Sequence, residues 1–405
     1  MSQLLSRGHS VSVITSSDNN QYKKDGDSMH IIRVPENLIG RIRSKISKKY
    51  ISNPGLNESK FSRHKGSKLI SNVVKGLYSF AIKKFQWPDF AWTWIFNARK
   101  AVFNYLEDNS EIDVVISVSH PFSSHLVGSI VKQKYPNIRW IMDIGDPFCF
   151  LIQSPPNNFL IYNRLNKFIE RKYFSIADYI SVTTSETKSE YLKLFPEIDR
   201  KIIVIPPILS NLASKILKTE KEKLKSNHQP LRLVYIGTLY SGIRHPKKIL
   251  KILAEVRTLL NSDFEIHFYG PTNDIEISNL TNSYTFFHGA ISHDAALRFM
   301  LDADILINIG NSTQFQLPSK LVEYICSGNP VLNIISSSSD SSKVFLTHCQ
   351  MAKTIELSGE ITKEIVNEVA DYISFASTNI LKVNNSDLSK FSVQNISKQY
   401  EVLFN

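Results

Sequence analysis

Short apolar runs alternate with helix-patterned segments twice along the chain, and that alternation leaves few folds open. In the first half, "HSVSVITS" (9–16), "HIIRVP" (30–35), "IDVVISVS" (112–119), "RWIMDI" (139–144), "DYISVTT" (178–184) and "KIIVIPP" (201–207) read as strands. Helix patterns at 123–136, 163–177 and 185–195 lie between the later ones. A polar, Lys-rich stretch follows from Ser210 to Pro230, and then the same grammar restarts. "LRLVYIG" (231–237), "FEIHFYG" (264–270), "YTFFHG" (284–289), "ADILINIG" (303–310) and "PVLNII" (330–335) are strands. Helix patterns fall at 246–260, 292–303 and 319–327. Strands rich in Val and Ile, separated by helices, argue for parallel sheets covered on both faces. With 405 residues, the chain is too long for one ordinary core. The expectation is α/β: two Rossmann-like domains facing a cleft, 1–206 and 207–389. A C-terminal helix at 390–405 would pack back on the first domain.

Three widely spaced cysteines, Cys149, Cys326 and Cys349, exclude a disulfide framework or clustered zinc site and suit a reducing cytoplasm. No apolar run is long enough to span a bilayer. The opening residues "MSQLLSRGHSVSVITS" are too polar for a signal peptide. The formal charge of +11 asks for an anionic partner. Ten cations stand between Arg41 and Lys75 against one acid, Glu58. Residues 69–84 follow, with Leu69, Val73, Leu77 and Phe80 at helical spacing, flanked by lysines and then by Trp87, Trp92 and Trp94. Two readings fit: a basic amphipathic helix lying on an anionic bilayer, or a helix packed on its own sheet. No nucleic-acid motif is present, so nucleic acid is not expected as a partner.

Ligands bind beyond the carboxyl ends of strands in such folds. Four constellations stand there. "IGTLYSGIRHPKK" (236–248) ends a strand at Gly237 and Thr238 and starts a helix near Pro246. Arg244 and free N–H groups at that helix suit a diphosphate, or form a plain turn with a surface Arg. "INIGNSTQFQLPSKLVEYICSGNP" (307–330) enters a helix at Ser319–Lys320. Glu323 lies off its apolar stripe and reads equally as a helix-dipole acid or as an acceptor for a ribose diol. "SVSHPFSSH" (117–125) holds Ser119, His120, Ser123 and His125, and "MDIGDPF" (142–148) holds Asp143 and Asp146. Either can handle an incoming hydroxyl, or be structural. Asp302 and Asp304 read as a helix-end detail rather than a metal site, and no metal or cofactor is expected. Neither a dinucleotide-binding glycine fingerprint nor a Walker loop occurs, which argues against dehydrogenases and kinases.

Together these stretches resemble the retaining glycosyltransferases of the GT-B fold, family 4, across nearly the whole chain. "LSRGHSVSVITS" is similar to the end of the family's first helix and its second strand. "VIPP" is similar to the segment that hands over to the second domain, "YIGTLY" to the opening of the donor domain, and "LPSKLVEYICSGNPVL" to the nucleotide-sugar signature. The resemblance implies transfer of a sugar, with retention and without a metal, from a nucleotide-diphosphate sugar to a lipid-linked or glycan acceptor. It points to bacterial capsule, O-antigen or exopolysaccharide synthesis at the cytoplasmic face of the inner membrane. By position, Glu323 matches the signature's second glutamate, which holds the ribose. Phe315 stands where the first would be, so Gln314 or Gln316 takes the sugar. Arg244 matches the phosphate-binding Lys, and Thr238 stands where an earlier Arg is usual. The family's first-domain histidine falls near Ser119, beside His120; Asp146 completes the catalytic candidates. Gly237, Ser319 and Lys320 complete the donor set. The family opens with a strand and Gly-rich loop, whereas Met1 falls within the following helix, so the first domain is expected to lack that central strand. The alternatives are a nucleotide-sugar-binding relic and a sugar-nucleotide epimerase of the same fold.

Overall fold

The computed structural model describes residues 2–16, 29–37, 40, 85–152, 155–209, 230–239, 244–272, 275–311, 314–318, 320–347, 349–378 and 389–405. The amphipathic stretch 69–84, the whole basic run from Arg41 to Lys75 and Ser319 lie outside them. The chain forms two compact units, Met1–Ile205 with Ser397–Asn405, and Pro206–Ile396.

The first unit runs α1 (Ser2–Ser6), β1 (Val11–Ser16), β2 (Met29–Val34), α2 (Ile95–Asp108), β3 (Val114–Ser119), α3 (Ser123–Lys134), β4 (Arg139–Ile144), α4 (Phe159–Ile176), β5 (Tyr179–Val182), α5 (Ser185–Leu194) and β6 (Ile202–Val204). All its strand pairs are parallel, in two sheets: β1-β2 and β3-β4-β5-β6. Both sheets rest on the same helices, because Ile14 of β1 and Val115 of β3 pack against Ala98, Val102 and Val127 of α2 and α3. Among the described residues, β1 and β3 each pair along one edge only. Ile116 and Val118 of β3 are exposed although a covered parallel sheet should bury them.

The second unit runs β7 (Leu231–Ile236), α6 (Lys247–Leu260), β8 (Phe264–Tyr269), α7 (Ile275–Ser278), β9 (Thr285–Gly289), α8 (His293–Leu301), β10 (Ile305–Ile309), α9 (Lys320–Ser327), β11 (Val331–Ile335), α10 (Ser341–Leu346), β12 (Ala352–Glu356), α11 (Lys363–Thr378) and the start of α12 (Val393–Val402). Its six strands are parallel in the order β12-β11-β10-β7-β8-β9. Leu233 and Tyr235 of β7 join one apolar cluster with α6 and α11, while Val234 and Ile236 join the other with α8 and α9. That two-sided burial is why the strand reads as an unbroken apolar run.

Polar residues in this sheet are cross-linked. The Asn308 amide donates to Asn333 Oδ1 at 2.7 Å, the Asn333 amide donates to Thr354 Oγ1 at 3.1 Å, and Ser342 Oγ donates to Asn333 Oδ1 at 3.1 Å. The strand register places Asn308 opposite Asn333 and Asn333 opposite Thr354. Asn333→Leu strands the Asn308 amide in a dry core, and we expect it to cost about 3 kcal/mol. Urea unfolding checks this; a loss under roughly 0.5 kcal/mol, the range of a neutral surface change, shows the ladder to be dispensable.

The strands fall within a few residues of the expected spans. Five elements named above were not anticipated: α2, α7, α10, β12 and α11. The edge strand β12 buries only Ile355 fully, so its apolar signal is thin. Helix α4 starts at Phe159 rather than at Asn163, which adds Leu160 and Ile161 to its surface.

Candidate functional site

In the second unit, Gly237 ends β7, and its carbonyl lies where a Cβ on Gly270 would sit, at 1.9 Å. Gly270 also has φ +142, so only glycine lets these two strand ends meet. The ends of β7 and α9 are joined by Tyr324. Its buried hydroxyl accepts the Ile236 N–H at 2.8 Å, and burial pushes its pKa upward. This bond fixes the first turn of α9, and with it Glu323, against the end of β7. Arg244 and Glu323 both lie close enough to Tyr324 for their charges to bias its titration.

Arg244 precedes α6 and donates from Nε to Asn311 Oδ1 at 2.6 Å. The buried Asn311 is held in turn, donating to the Gln316 carbonyl at 3.1 Å, which also accepts from Ser341 Oγ at 2.9 Å. So Gln316 contributes through its backbone, and the Arg is aimed by a two-step relay. Thr238 offers its carbonyl to the Tyr235 hydroxyl at 3.1 Å.

Glu323 is 13% exposed and neither of its oxygens is idle. Lys320 Nζ donates to Oε2 at 2.8 Å, and His293 Nε2 stands 3.5 Å from Oε1. Lys320 Nζ also lies 3.2 Å from His293 Nδ1. An ammonium can only donate, so Nδ1 accepts and the imidazole proton sits on Nε2, facing Glu323. The three residues close a ring of donors around one carboxylate. His293, the first residue of α8 after its cap Ser292, was missed by sequence reasoning. Thirty residues separate it from Glu323, and only the packing of α8 against α9 joins them.

In the first unit, Ser119 and Ile144 are paired at the ends of β3 and β4, which sets Ser119, His120 and Asp146 on neighbouring loops. Ser119 is buried with no partner for Oγ among the described residues, His120 is exposed, and Asp146 is half-buried. The other candidates are structural. Ser123 gives both its N–H and its hydroxyl to the buried Asp89, at 2.9 and 2.7 Å. Asp143 accepts from Ser181 Oγ at 2.9 Å, and burial raises its pKa. His125 is fully buried, with Nδ1 2.7 Å from Ser117 Oγ. Ser117 Oγ also accepts the Trp140 indole N–H at 2.8 Å, so the three side chains are linked in the core. Burial, with the nearby His120, lowers its pKa to about 3, too low for a general base at neutral pH. Asp302 is engaged with Arg232 at 2.7 Å, and Asp304 accepts the Arg232 N–H, so the pair is structural. No group of His, Cys, Asp and Glu side chains with metal-binding geometry occurs among the described residues.

No family model and no curated protein matches the sequence. Solved structures do. Sucrose-phosphate synthase from Thermosynechococcus elongatus superposes with a TM-score of 0.61 at 12% identity, over 99% of this chain and 90% of its own. WaaG, a glycosyltransferase involved in lipopolysaccharide biosynthesis, gives 0.50 at 13%, over 99% and 89%. HepE from Anabaena, solved in complex with UDP, gives 0.51 at 13%, over 97% and 98%. The chain has the GT-B fold. Within this GT-B chain, the ring around Glu323 and the relay to Arg244 both belong to the second unit.

Proposed function

We propose that this protein transfers a hexosyl or related sugar from a nucleotide-diphosphate sugar to a lipid-linked or glycan acceptor. The reading extends to retention of configuration, to the family 4 class, and to assembly of a bacterial surface polysaccharide such as O-antigen or capsule. It places the enzyme in the cytoplasm, at the inner face of the membrane. No described helix is long and apolar enough to cross a bilayer. The observation that carries the reading is the Lys320–Glu323–His293 ring set near Arg244 on a GT-B scaffold. Glycosyltransferases dominate its structural neighbours and one neighbour was solved in complex with UDP, although a UDP-GlcNAc 2-epimerase is also among them.

The chemistry follows from charge. When the sugar–phosphate bond breaks, negative charge grows on the leaving diphosphate. A preset guanidinium and backbone N–H donors strengthen as that charge develops, which lowers the barrier without reorganisation. Arg244, aimed by Asn311, is one such group, and the N-terminus of α9 at Lys320 is another. In this reading Glu323 takes the ribose diol, the Gln316 amide is the contact for the sugar, and Gly237 and Thr238 let the diphosphate approach the backbone. The acceptor hydroxyl attacks from the face the diphosphate leaves, so configuration is retained, and the departing phosphate can take its proton. Ser119, His120 and Asp146 of the first unit handle the acceptor in this reading. The proposed route requires no metal.

A panel of nucleotide sugars with a lipid-linked glycan acceptor tests this. The expected result is release of nucleoside diphosphate coupled to glycan extension, insensitive to EDTA. Epimerised nucleotide sugar without acceptor extension would replace the reading with an epimerase. A second reading, donor binding without transfer, is favoured by the divided sheet of the first unit. Tight nucleotide-sugar binding with no turnover on any acceptor establishes it.

A further inference from the structure

We propose that the outward face of α4 is the surface by which this protein lies on an anionic lipid bilayer; the assignment rests on the membrane-associated reading above. Helix α4 has 18 residues, about 27 Å of length. It buries Asn166, Glu170, Tyr173 and Phe174. Its opposite face is apolar where a soluble surface should be polar. Leu160 is 91% exposed, Phe168 64%, Ile161 50% and Leu165 38%. At helical spacing these four fall within a sector of about 140°. The Tyr162 hydroxyl donates to the Phe85 carbonyl at 2.9 Å, which brings Phe85, itself 62% exposed, to the start of the same helix.

The exposed charges of the helix itself have one sign. Arg164, Lys167, Arg171 and Lys172 are exposed, while the one acid of the helix, Glu170, is fully buried. Arg171 pairs with Glu197 at 2.6 Å. Arg164, Lys167 and Lys172 make no ion pair among the described residues. Cations interleaved with large apolar side chains suit a lipid surface better than a protein partner. The core of a protein interface is depleted in charge, whereas at a bilayer the apolar groups enter the acyl boundary and the long cationic stems reach the phosphates. No described helix can cross, so the helix lies along the surface.

Sedimentation of the full chain with phosphatidylcholine vesicles, with and without phosphatidylglycerol, tests this. Wild type should bind the anionic vesicles and release as salt is added. Leu160→Glu/Phe168→Glu should weaken that binding at least tenfold. Arg164→Gln/Lys167→Gln/Lys172→Gln should weaken it by roughly fivefold for each cation removed. All these positions are exposed, so the circular dichroism and UDP affinity of the variants should match wild type. Variants that bind as wild type does overturn the assignment of α4 while membrane association stands. No vesicle binding by wild type at low salt overturns both, leaving sugar transfer to be judged on soluble acceptors. Concentration-dependent dimers that the Leu160/Phe168 variant abolishes, with vesicle binding unchanged, would give the face to a second copy instead.

Discussion

Glu323→Ala should weaken UDP binding ten- to a hundredfold in calorimetry while the protein stays folded. A hydrogen bond to a charged group contributes about 1.5–3 kcal/mol, and each tenfold in affinity is about 1.4 kcal/mol. A carboxylate accepting a ribose diol makes two such bonds. It must surrender part of its hold on Lys320 and His293 to do so, which brings the net below their sum, to about 1.4–2.8 kcal/mol. The fold should survive, because α9 is anchored by buried Leu321 and by the Tyr324 bond to β7, not by Glu323. Glu323→Gln should fall between the two, since its amide keeps one acceptor oxygen but turns donors toward Lys320. Unchanged UDP affinity in a folded Glu323→Ala protein would remove the ribose role and leave Glu323 as a helix-dipole acid.

The second large effect is a pH dependence of stability with two opposed sources. His125 is neutral and fully buried, with its pKa lowered to about 3 by burial. In the unfolded chain it titrates near 6.5. Between those values the unfolded state binds more protons, so the stability His125 contributes is present above pH 6.5 and is lost as pH falls toward 3. The full difference is on the order of 5 kcal/mol. Glu170 acts the other way. Burial raises its pKa to about 7, although it accepts from the Cys149 N–H at 3.0 Å and from the Tyr191 hydroxyl at 2.6 Å. Unfolded, it titrates near 4.3. Its contribution is present at low pH and is lost as pH rises from about 4.3 to about 7, on the order of 4 kcal/mol. The two slopes oppose between about pH 4.5 and 6.5, so wild type alone shows little there. Variants separate them. The stability gap between wild type and His125→Asn should shrink on acidification below pH 6.5, and that between wild type and Glu170→Gln should shrink as pH rises toward 7. Urea midpoints across this range measure both, and gaps that do not move with pH would refute the buried, neutral states.

Much of the second unit was legible, for a specific reason. Strands such as "ILINI" and "VLNII" are buried on both faces, so every position is apolar or, at Asn308 and Asn333, paired across the ladder. The edge strand β12 has no such pressure and was missed. The four constellations were legible as polar clusters after strand ends, yet their members divide once packed. Arg244, Lys320 and Glu323 gather near Tyr324. His125, Ser123 and Asp143 turn inward to Ser117, Asp89 and Ser181 and leave Ser119, His120 and Asp146 at the loops. Spacing could not separate these sets, because burial depends on which helix lies over the strand end.

By itself the sequence determined two parallel α/β units, the place of every strand but β12 and the carboxylate in the first turn of α9, since periodicity and helix starts are local properties. Only the tertiary structure decided what that carboxylate meets. His293 comes from a different helix, and Tyr324 ties α9 to a strand far upstream, so both depend on chain segments distant in sequence. The same holds for α4, where the apolar pattern is visible in the chain but only packing shows which half remains in water.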